Sequence, residues 1–191
     1  MRDFEDYCWR DLVDDDVRHI YSPYVRERGV GRRPALLVVH PGAGDGTFTI
    51  DWRGAAAALL REARAMGMPV LHSMPPGASP APVLAPADGE AQHARPRESA
   101  FFSSDLERAL RACGARSLVV CGAPTSGALR AIAVEGKSYG YRVAIAEETV
   151  GDESPFLHRI ALFDIAHKYA DVMSLEELFA ALAAAHEAAP A

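Results

Sequence analysis

Cysteine is scarce in this chain, and its spacing excludes two kinds of architecture. Among the 191 residues, Cys8, Cys113 and Cys121 are the only cysteines. An odd number of cysteines without a CxxC pair predicts neither a disulfide framework nor a structural zinc site. We therefore expect reduced thiols, and we predict no metal and no cofactor.

Long apolar runs and clusters of positive charge are also missing. No apolar run approaches the roughly 20 residues of a membrane span, and the acidic start MRDFEDYCWRDLVDDD is unlike a signal peptide. The formal net charge is −6, without a lysine or arginine run. This argues against nucleic acid or an anionic membrane as partner, because phosphate binding needs clustered basic groups. Together these absences predict a cytoplasmic protein whose partner is a small molecule or another protein.

Strand-like runs rich in valine, leucine and isoleucine alternate with helix-like runs along the chain. The strand-like runs cover residues 35–39, 69–71, 118–121, 142–146 and 171–173, and the helix-like runs cover residues 54–66, 104–113, 126–139, 156–167 and 175–185. This alternation predicts a three-layer α/β/α sandwich around a mainly parallel, Rossmann-like sheet. The proline-rich residues 74–98 are predicted to form a long loop over the sheet edge. Ser104 with Glu107, and Ser174 with Glu177, have capping-box spacing and predict two helix starts.

The chain has the length and composition of one domain with a sizeable core, since 49% of its residues are hydrophobic. We predict an N-terminal arm over residues 1–30 and one domain over residues 31–191. The arm carries the large apolar and aromatic side chains Phe4, Tyr7, Trp9, Ile20, Tyr21 and Tyr24. So many apolar and aromatic side chains predict that the arm packs against a partner chain and is not exposed to solvent. The alternative is that the arm folds back onto the chain's own domain.

The segment LVVCGAPTSGALRAIAVEGKSYGYRVAIAEETVGD (residues 118–152) says most about function. It predicts a strand, a glycine turn, a helix opening at Thr125 or Ser126, and a second strand, which together hold a reactive side chain above a helix N-terminus. The segment resembles the isochorismatase-like cysteine hydrolases, most closely the N-carbamoylsarcosine amidase and maleamate amidase branch, where it is similar to GVTTSGCVRAT. Gly122, Thr125, Ser126, Gly127 and Arg130 match that pattern, and Ala128 stands at the position of the cysteine.

The resemblance covers nearly the whole chain. SPFLHRIALFDIAHKYADVMS (residues 154–174) and GVGRRPALLVVH (residues 29–40) are similar to segments of the amidase branch. The resemblance implies an aspartate and a lysine where this chain has His40 and Arg95. In the family, the aspartate takes the thiol proton, the lysine stabilises charge, and the cysteine attacks an amide carbonyl whose oxyanion is held by backbone N–H groups. All three of these groups are changed here.

Histidine and arginine side chains supply the remaining candidate groups. His40 either acts as a general base or is satisfied by a backbone carbonyl at the strand end. His72 ends the second strand, so the two imidazoles are predicted to face one pocket. Arg95 or Arg97 would hold a carboxylate bidentately. A metal shared by the two histidines would need a further ligand such as Asp45, but HPGAGD is no known metal spacing.

The side chains of the turn after the 118–121 strand are open to two interpretations. Thr125 and Ser126 are either nucleophiles or helix caps, and capping is favoured. Cys121 is predicted to behave as a small buried hydrophobe rather than a catalyst. The family carries a cis peptide in this turn, so the bond before Pro124 is predicted to be cis.

Two functional hypotheses follow. The favoured one is a non-hydrolytic pseudoenzyme of isochorismatase fold, which binds a small carbonyl, carboxylate or amide ligand, or pairs with an active relative, and forms a homo-oligomer (dimer or tetramer) as the amidase branch does. The alternative is a hydrolase or lyase of altered mechanism, acting on a small amide or carboxylate with His40 as general acid or base.

Phe101 and Phe102 either border the pocket or pack in the core. The predicted ligand-binding residues are His40, His72, Arg95, Arg97, Phe102, Pro124, Thr125, Gly127 and Ala128.

Overall fold

Six parallel strands form the central sheet of the computed structural model, which describes residues 6–21, 28–42, 48 and 50–188. The strands are β1 (Pro34–Val39), β2 (Val70–Met74), β3 (Ala91–Ala94), β4 (Ser117–Gly122), β5 (Arg142–Ala146) and β6 (Asp171–Met173). The helices are α1 (Asp15–Tyr21), α2 (Arg53–Ala65), α3 (Leu106–Ala112), α4 (Arg130–Ser138), α5 (Pro155–Lys168) and α6 (Leu175–Glu187). The sheet order is β3-β2-β1-β4-β5-β6, so the chain reverses its winding direction between β1 and β4. In such sheets a crevice for ligands forms at the carboxyl ends of the strands at this reversal.

Helices cover both faces of the sheet and separate the core into two clusters. Successive strand residues point to opposite faces, so Leu37 and Val120 pack with residues of α3, α4 and α5. Leu36 and Val119 pack on the other face with residues of α2 and α6. The predicted three-layer α/β/α sandwich is confirmed. Within the described residues, none of the helices is both long and apolar enough to cross a bilayer.

The prediction of a structureless loop over residues 74–98 is wrong in part. A 3₁₀ turn covers Pro82–Leu84, and β3 adds an edge strand that pairs with β2. Only one of its four residues, His93, is buried. A strand this short, with almost no apolar content, lacks the periodic signal by which strands are recognised in a sequence.

Of the two predicted capping boxes, one is confirmed. Ser174 accepts from the Glu177 N–H, and the Glu177 side chain accepts from the Ser174 N–H, at the start of α6. The capping box predicted at Ser104 does not form, because α3 begins at Leu106 and Asp105 precedes it. The Ser104 hydroxyl accepts from the Leu106 N–H at 3.2 Å and donates to the Ala100 carbonyl.

Three aromatic rings of the predicted arm fold back onto the chain's own domain, and one of them, Tyr21, lies 5.4 Å from the Phe163 ring of α5. Tyr7 and Trp9 are buried in the same cluster as the sheet residues, and their rings stack with centroids 4.4 Å apart. For these two rings the predicted contact with a partner chain is wrong, since the domain itself covers them. Ile20 is exposed. Phe4 and Tyr24 lie outside the described residues.

Candidate functional site

The carboxyl ends of β1 and β4 bring His40 and the turn before α4 together. Val39 and Gly122 are register partners, and the Ala123 N–H donates to the Val39 carbonyl at 3.1 Å. Gly122 has φ +123°, and a Cβ at this position would lie 2.0 Å from the Val39 oxygen. Only glycine allows so close an approach of the two chains. His40 directly follows β1, so it lies beside the turn that carries Ala128.

A chain of hydrogen bonds runs from His40 away from the turn. His40 Nε2 lies 2.9 Å from His72 Nδ1, and His72 Nε2 lies 2.8 Å from Glu90 Oε2. Glu90 also accepts from the Arg64 guanidinium at 2.8 Å. Both rings are almost completely buried. The rings of His40 and His72 therefore contact each other, and the alternative in which a backbone carbonyl satisfies the His40 ring is wrong. That both rings face one pocket stays a prediction.

The Glu90 carboxylate fixes the proton positions along this chain. Its hydrogen bonds with Arg64 lower the pKa of Glu90 to about 2, so it is ionised and can only accept. His72 must then donate from Nε2, which leaves His72 Nδ1 as an acceptor for a proton on His40 Nε2. A neutral His40 consequently has its lone pair on Nδ1.

Burial keeps both rings uncharged at neutral pH. Desolvation, with smaller contributions from His72 and Arg95, lowers the pKa of His40 from 6.5 to about 4. Desolvation also lowers the pKa of His72, although its hydrogen bond with Glu90 opposes this shift. A proton acceptor of low basicity thus stands where the resemblance predicts an aspartate.

The lowered pKa of His40 should make stability depend on pH. The unfolded chain binds a proton at His40 below about 6.5, whereas the folded protein resists this proton down to about 4, so stability falls as pH drops through that window. His40→Asn should flatten the pH dependence of the unfolding free energy by about 1–3 kcal/mol across the window. Urea unfolding at a series of pH values measures this pH dependence of the unfolding free energy. His186→Asn, at an exposed position of α6, serves as the control, and parallel curves for wild type and His40→Asn would contradict the expectation.

Arg95 is a buried cation that no carboxylate of the described residues contacts. It follows β3, is 5% exposed, and donates from Nη2 to the His40 carbonyl at 2.7 Å. Its Nε has no hydrogen-bond partner, and no ion pair joins Arg95 to another described residue. Burial lowers the pKa of Arg95, and the nearby Glu98 opposes the shift. Arg97 is exposed and donates only to the Pro96 carbonyl, so the structure brings Arg95 to His40 but not Arg97.

The turn before α4 is held by its own polar contacts. The Ala123–Pro124 bond is cis, as predicted, and residues Thr125–Leu129 form one π-helical turn. The Thr125 hydroxyl donates to the Gly151 carbonyl at 3.0 Å and lies 2.9 Å from His158 Nδ1. The Ser126 N–H and hydroxyl both donate to Asp152 Oδ2. The prediction that these hydroxyls cap the helix is therefore wrong: they tie the turn to residues 151–158.

No accessible thiol lies in this turn. Ala128 is completely buried among core residues. Cys121 is also completely buried, and desolvation raises the pKa of its thiol to about 12, so it behaves as the predicted small hydrophobe. Thr125 is fully buried, and its proton is committed to a backbone carbonyl. None of these side chains is an activated nucleophile.

Four other positions bear on the sequence predictions. Phe101 packs in the core, whereas Phe102 is 53% exposed, so the core interpretation holds only for Phe101. A Cβ on Gly127 would lie 2.8 Å from Glu98 Oε2, which places this carboxylate against the turn. No group of three or more metal-ligating side chains converges in the described part of the chain, and Asp45 lies outside it.

The sequence analysis did not predict the contacts of three residues at the site. These residues are Glu90, Glu98 and His158. Glu90 lay in the segment predicted as a loop, and its pairing with His72 depends on an edge strand without a sequence signal. His158 lies one helical turn inside α5, where a histidine carries no signal of its partner.

Comparisons with known proteins agree with this fold. The model of the isochorismatase domain matches residues 40–177. Maleamate amidohydrolase of Pseudomonas putida is 33% identical over 186 residues, with 78% of this chain and 86% of that protein covered. N-carbamoylsarcosine amidase of an Arthrobacter species is 36% identical over 95 residues, which cover 50% of this chain and 36% of that protein.

A solved structure of an isochorismatase-family protein from Chromobacterium violaceum has a similar fold. It superposes with a TM-score of 0.75 at 25% identity and covers 84% of this chain and 98% of that one. The domain match spans the site from His40 to the start of α6. This chain therefore belongs to the isochorismatase family.

Proposed function

We propose that this protein is a non-hydrolytic member of the family, which binds a small carboxylate or amide at the carboxyl edge of the sheet. The observation that carries the proposal is the completely buried Ala128 in the turn where the family resemblance implies the nucleophilic cysteine. A methyl group cannot attack a carbonyl, and no other side chain of the turn replaces the thiol.

The two other triad positions support binding rather than thiol chemistry. With a pKa of about 4, His40 is a much weaker base than an imidazole in water, and it has no thiol proton to take. Arg95 keeps its charge where a lysine could lose a proton. The Glu98 carboxylate against Gly127 would repel an oxyanion that formed at the same turn.

Arg95 is the group that favours an anionic ligand. A buried cation that no described carboxylate contacts directly is costly, because the interior replaces little of its hydration, and the nearby Glu98 offsets only part of this cost. Its free Nε and the planar guanidinium suit a carboxylate oxygen. A ligand that carries both a carboxylate and an amide, as maleamate does, would satisfy Arg95 and place a donor or acceptor near His40.

Maleamate tests this proposal directly. Calorimetric titration should detect binding, and an ammonia assay on the same samples should detect no release above the uncatalysed rate. A variant with Cys8→Ser, Cys113→Ser and Cys121→Ala should bind maleamate in the same way, because none of these thiols belongs to the site and alanine buries no polar group at position 121. Ammonia release at ordinary enzymatic rates by the wild type would overturn the non-hydrolytic function.

The His40–His72–Glu90 chain favours a second candidate, a hydrolase that activates water. His40 Nδ1 would take a proton from water, the Nε2 proton would move to His72, and the positive charge would come to lie beside Glu90. The hydroxide would then attack the amide carbonyl. The low basicity of His40 makes this the weaker candidate.

A carboxylate-to-amide substitution distinguishes the two candidates. If water is activated through the chain, Glu90→Gln should lower ammonia release from maleamate about 10- to 100-fold, because the relay loses its negative end. Glu62→Gln, at an exposed position of α2, is the matched control. Binding of maleamate without ammonia release, in wild type and variants alike, would exclude the second candidate.

We further infer that the protein assembles with a second copy or a related chain. Phe156, Leu157 and Ile160 form an exposed apolar face on the first turns of α5, with 44–56% of each side chain exposed. Contiguous apolar surface of this kind favours association. Light scattering should show a dimer or tetramer. Ile160→Glu should shift the equilibrium toward the monomer, because it places a charge in the contact between the chains. A strictly monomeric wild type at micromolar concentration would contradict this assembly.

A further inference from the structure

Three buried polar atoms at the carboxyl ends of β2 and β3 have no hydrogen-bond partner among the described residues. They are Ser73 Oγ, His93 Nε2 and Arg95 Nε. Each of these side chains is at most 5% exposed. Buried polar atoms in folded proteins are nearly always bonded, so three neighbouring atoms without partners indicate a place where another molecule binds.

The register of the sheet places these three side chains next to each other. Ser73 and His93 are register partners on β2 and β3, so they point to the same face of the sheet. Arg95 lies two residues beyond His93, and its N–H continues the hydrogen-bond ladder to β2, so its side chain lies on that face as well. Leu71, two residues before Ser73, packs in the core cluster that includes Ala128. The three unpartnered atoms therefore lie on the side of the sheet that carries the Ala128 turn.

A carboxylate next to His93 fixes the tautomer of its ring. His93 Nδ1 lies 2.6 Å from Asp105 Oδ1. The hydrogen bond with His93 holds the pKa of Asp105 below its usual value, so this carboxylate is ionised at neutral pH and can only accept. A neutral His93 therefore has its proton on Nδ1 and a lone pair on Nε2. A second proton, on Nε2, would make an imidazolium whose charge Asp105 stabilises.

Charges of both signs lie around His93. Asp105 is half-exposed and also accepts from the Arg108 guanidinium at 3.0 Å. Arg95 follows on the same face of β3, and the nearby Glu98 opposes part of the effect of burial on Arg95. The positive charge of Arg95 disfavours a second positive charge on His93. An anion between these two side chains would attract both, and it would therefore favour the imidazolium.

We propose that the ligand carboxylate held by Arg95 also contacts Ser73 and His93, and that His93 takes up a proton when this carboxylate binds. The proposal rests on the proposed function, which supplies the carboxylate. Arg95 Nε and the Ser73 hydroxyl donate to the carboxylate oxygens, whereas the lone pair of a neutral His93 would repel them. The proton passes from solvent to His93 Nε2, which then donates a charge-assisted hydrogen bond to the carboxylate.

A buried water molecule is the other occupant that suits these three atoms. It would accept from Ser73 and Arg95 and donate to His93 Nε2, which gives the roughly three hydrogen bonds that are usual for such waters. In that arrangement His93 stays neutral, and ligand binding takes up no proton there. Proton uptake therefore distinguishes a carboxylate from a water beside His93.

Calorimetric titration in buffers of different ionisation enthalpy measures the proton uptake. Maleamate should bind to the wild type at about pH 7.5 with an uptake of roughly half a proton or more per ligand. Crotonate, which has a carboxylate but no amide to hydrolyse, should show the same uptake. The affinity for both ligands should fall as the pH rises from about 7 to about 9, because the proton that binding requires becomes scarcer.

Two variants assign the proton to His93. His93→Gln provides an amide N–H that donates without a proton from solvent, so maleamate should still bind but the proton uptake should be lost. Asp105→Asn removes the negative charge that stabilises the imidazolium, and it should lower the uptake and weaken binding about 10-fold. The controls are His186→Gln and Asp88→Asn at exposed positions, which should change neither quantity. The midpoint of thermal unfolding shows whether each variant is folded.

The possible results separate this proposal from the proposed function. Proton uptake that survives in His93→Gln would overturn it, because another group such as Glu98 or His40 would then take the proton. Binding of both ligands without proton uptake would also overturn it and would favour a buried water beside His93. Both results leave the binding function standing. Hydrolysis of maleamate would overturn the non-hydrolytic function, but the crotonate titration would still decide the role of His93. If neither ligand binds, both proposals are wrong.

Discussion

Arg95→Met is expected to weaken maleamate binding on the order of 100-fold. Removal of one partner from a buried, charge-assisted contact costs about 2–5 kcal/mol, and each 1.4 kcal/mol is about tenfold in affinity. Methionine has nearly the length of the arginine stem, so it fills the space without the charge. Calorimetric titration measures the change, and the midpoint of thermal unfolding shows whether the variant is folded.

Arg97→Met is the matched control for this experiment. Arg97 lies two residues further along the same segment, but it is exposed and donates only to the neighbouring Pro96 carbonyl. Its loss should change the affinity by no more than about twofold, since exposed charges contribute little. Similar losses in both variants would mean that Arg95 acts through general charge rather than through contact with the ligand.

The stability of Arg95→Met is informative in its own right. A buried ion often contributes nothing to the unfolding free energy, and its apolar replacement is frequently neutral or stabilising by about 1–4 kcal/mol. The lost hydrogen bond to the His40 carbonyl opposes this gain by about 1–3 kcal/mol. We therefore expect a small net change in stability beside a large loss of binding, which is the signature of a residue retained for its ligand.

The fold could be predicted because its strands are buried on both faces. Continuous apolar runs such as the one at Leu36, Val38 and Val39 alternate with helical segments, and this pattern is specific to parallel sheets with helices on both sides. The edge strand β3 was missed for the opposite reason, since three of its four residues are exposed. Its place in the sheet depends on pairing with β2, a contact between distant residues that local sequence does not encode.

The contacts of the candidate site could not be predicted from the sequence. The resemblance to the family predicts His40, Arg95 and Ala128 at the triad positions, and the structure joins Arg95 to the His40 carbonyl by a hydrogen bond. The sequence offered no means of choosing Arg95 over Arg97, because the choice depends on which side chain the end of β3 directs inward. The link from His72 to Glu90 depends on the same edge strand.

The side chains of the Thr125–Leu129 turn show why local propensity failed there. A threonine and a serine at a helix start favour capping when the helix is considered alone. Here a carbonyl and a histidine ring approach Thr125, and a carboxylate approaches Ser126, from residues 151–158. The N–H groups of Thr125 and Ser126 are themselves bonded to the Gly151 carbonyl and the Asp152 carboxylate, so they are not left for the hydroxyls to cap. Tertiary contacts outweighed the local preference.

Gly122→Ala is expected to lower the unfolding free energy by about 3–5 kcal/mol, the largest effect of any single substitution considered. The added Cβ would lie 2.0 Å from the Val39 oxygen, and φ at this position is +123°, which L side chains rarely adopt. The opposing atom belongs to the backbone of a central strand and cannot move aside. Gly54→Ala is the control: it lies in α2 with nothing within 4 Å of the added Cβ, and alanine there should be neutral or stabilising by about 0.5–1 kcal/mol. Urea unfolding of both variants measures the difference in unfolding free energy. Equal stabilities of the two variants would mean that β1 and β4 do not approach each other this closely. In that case the contact that holds His40 beside the Ala128 turn would be absent.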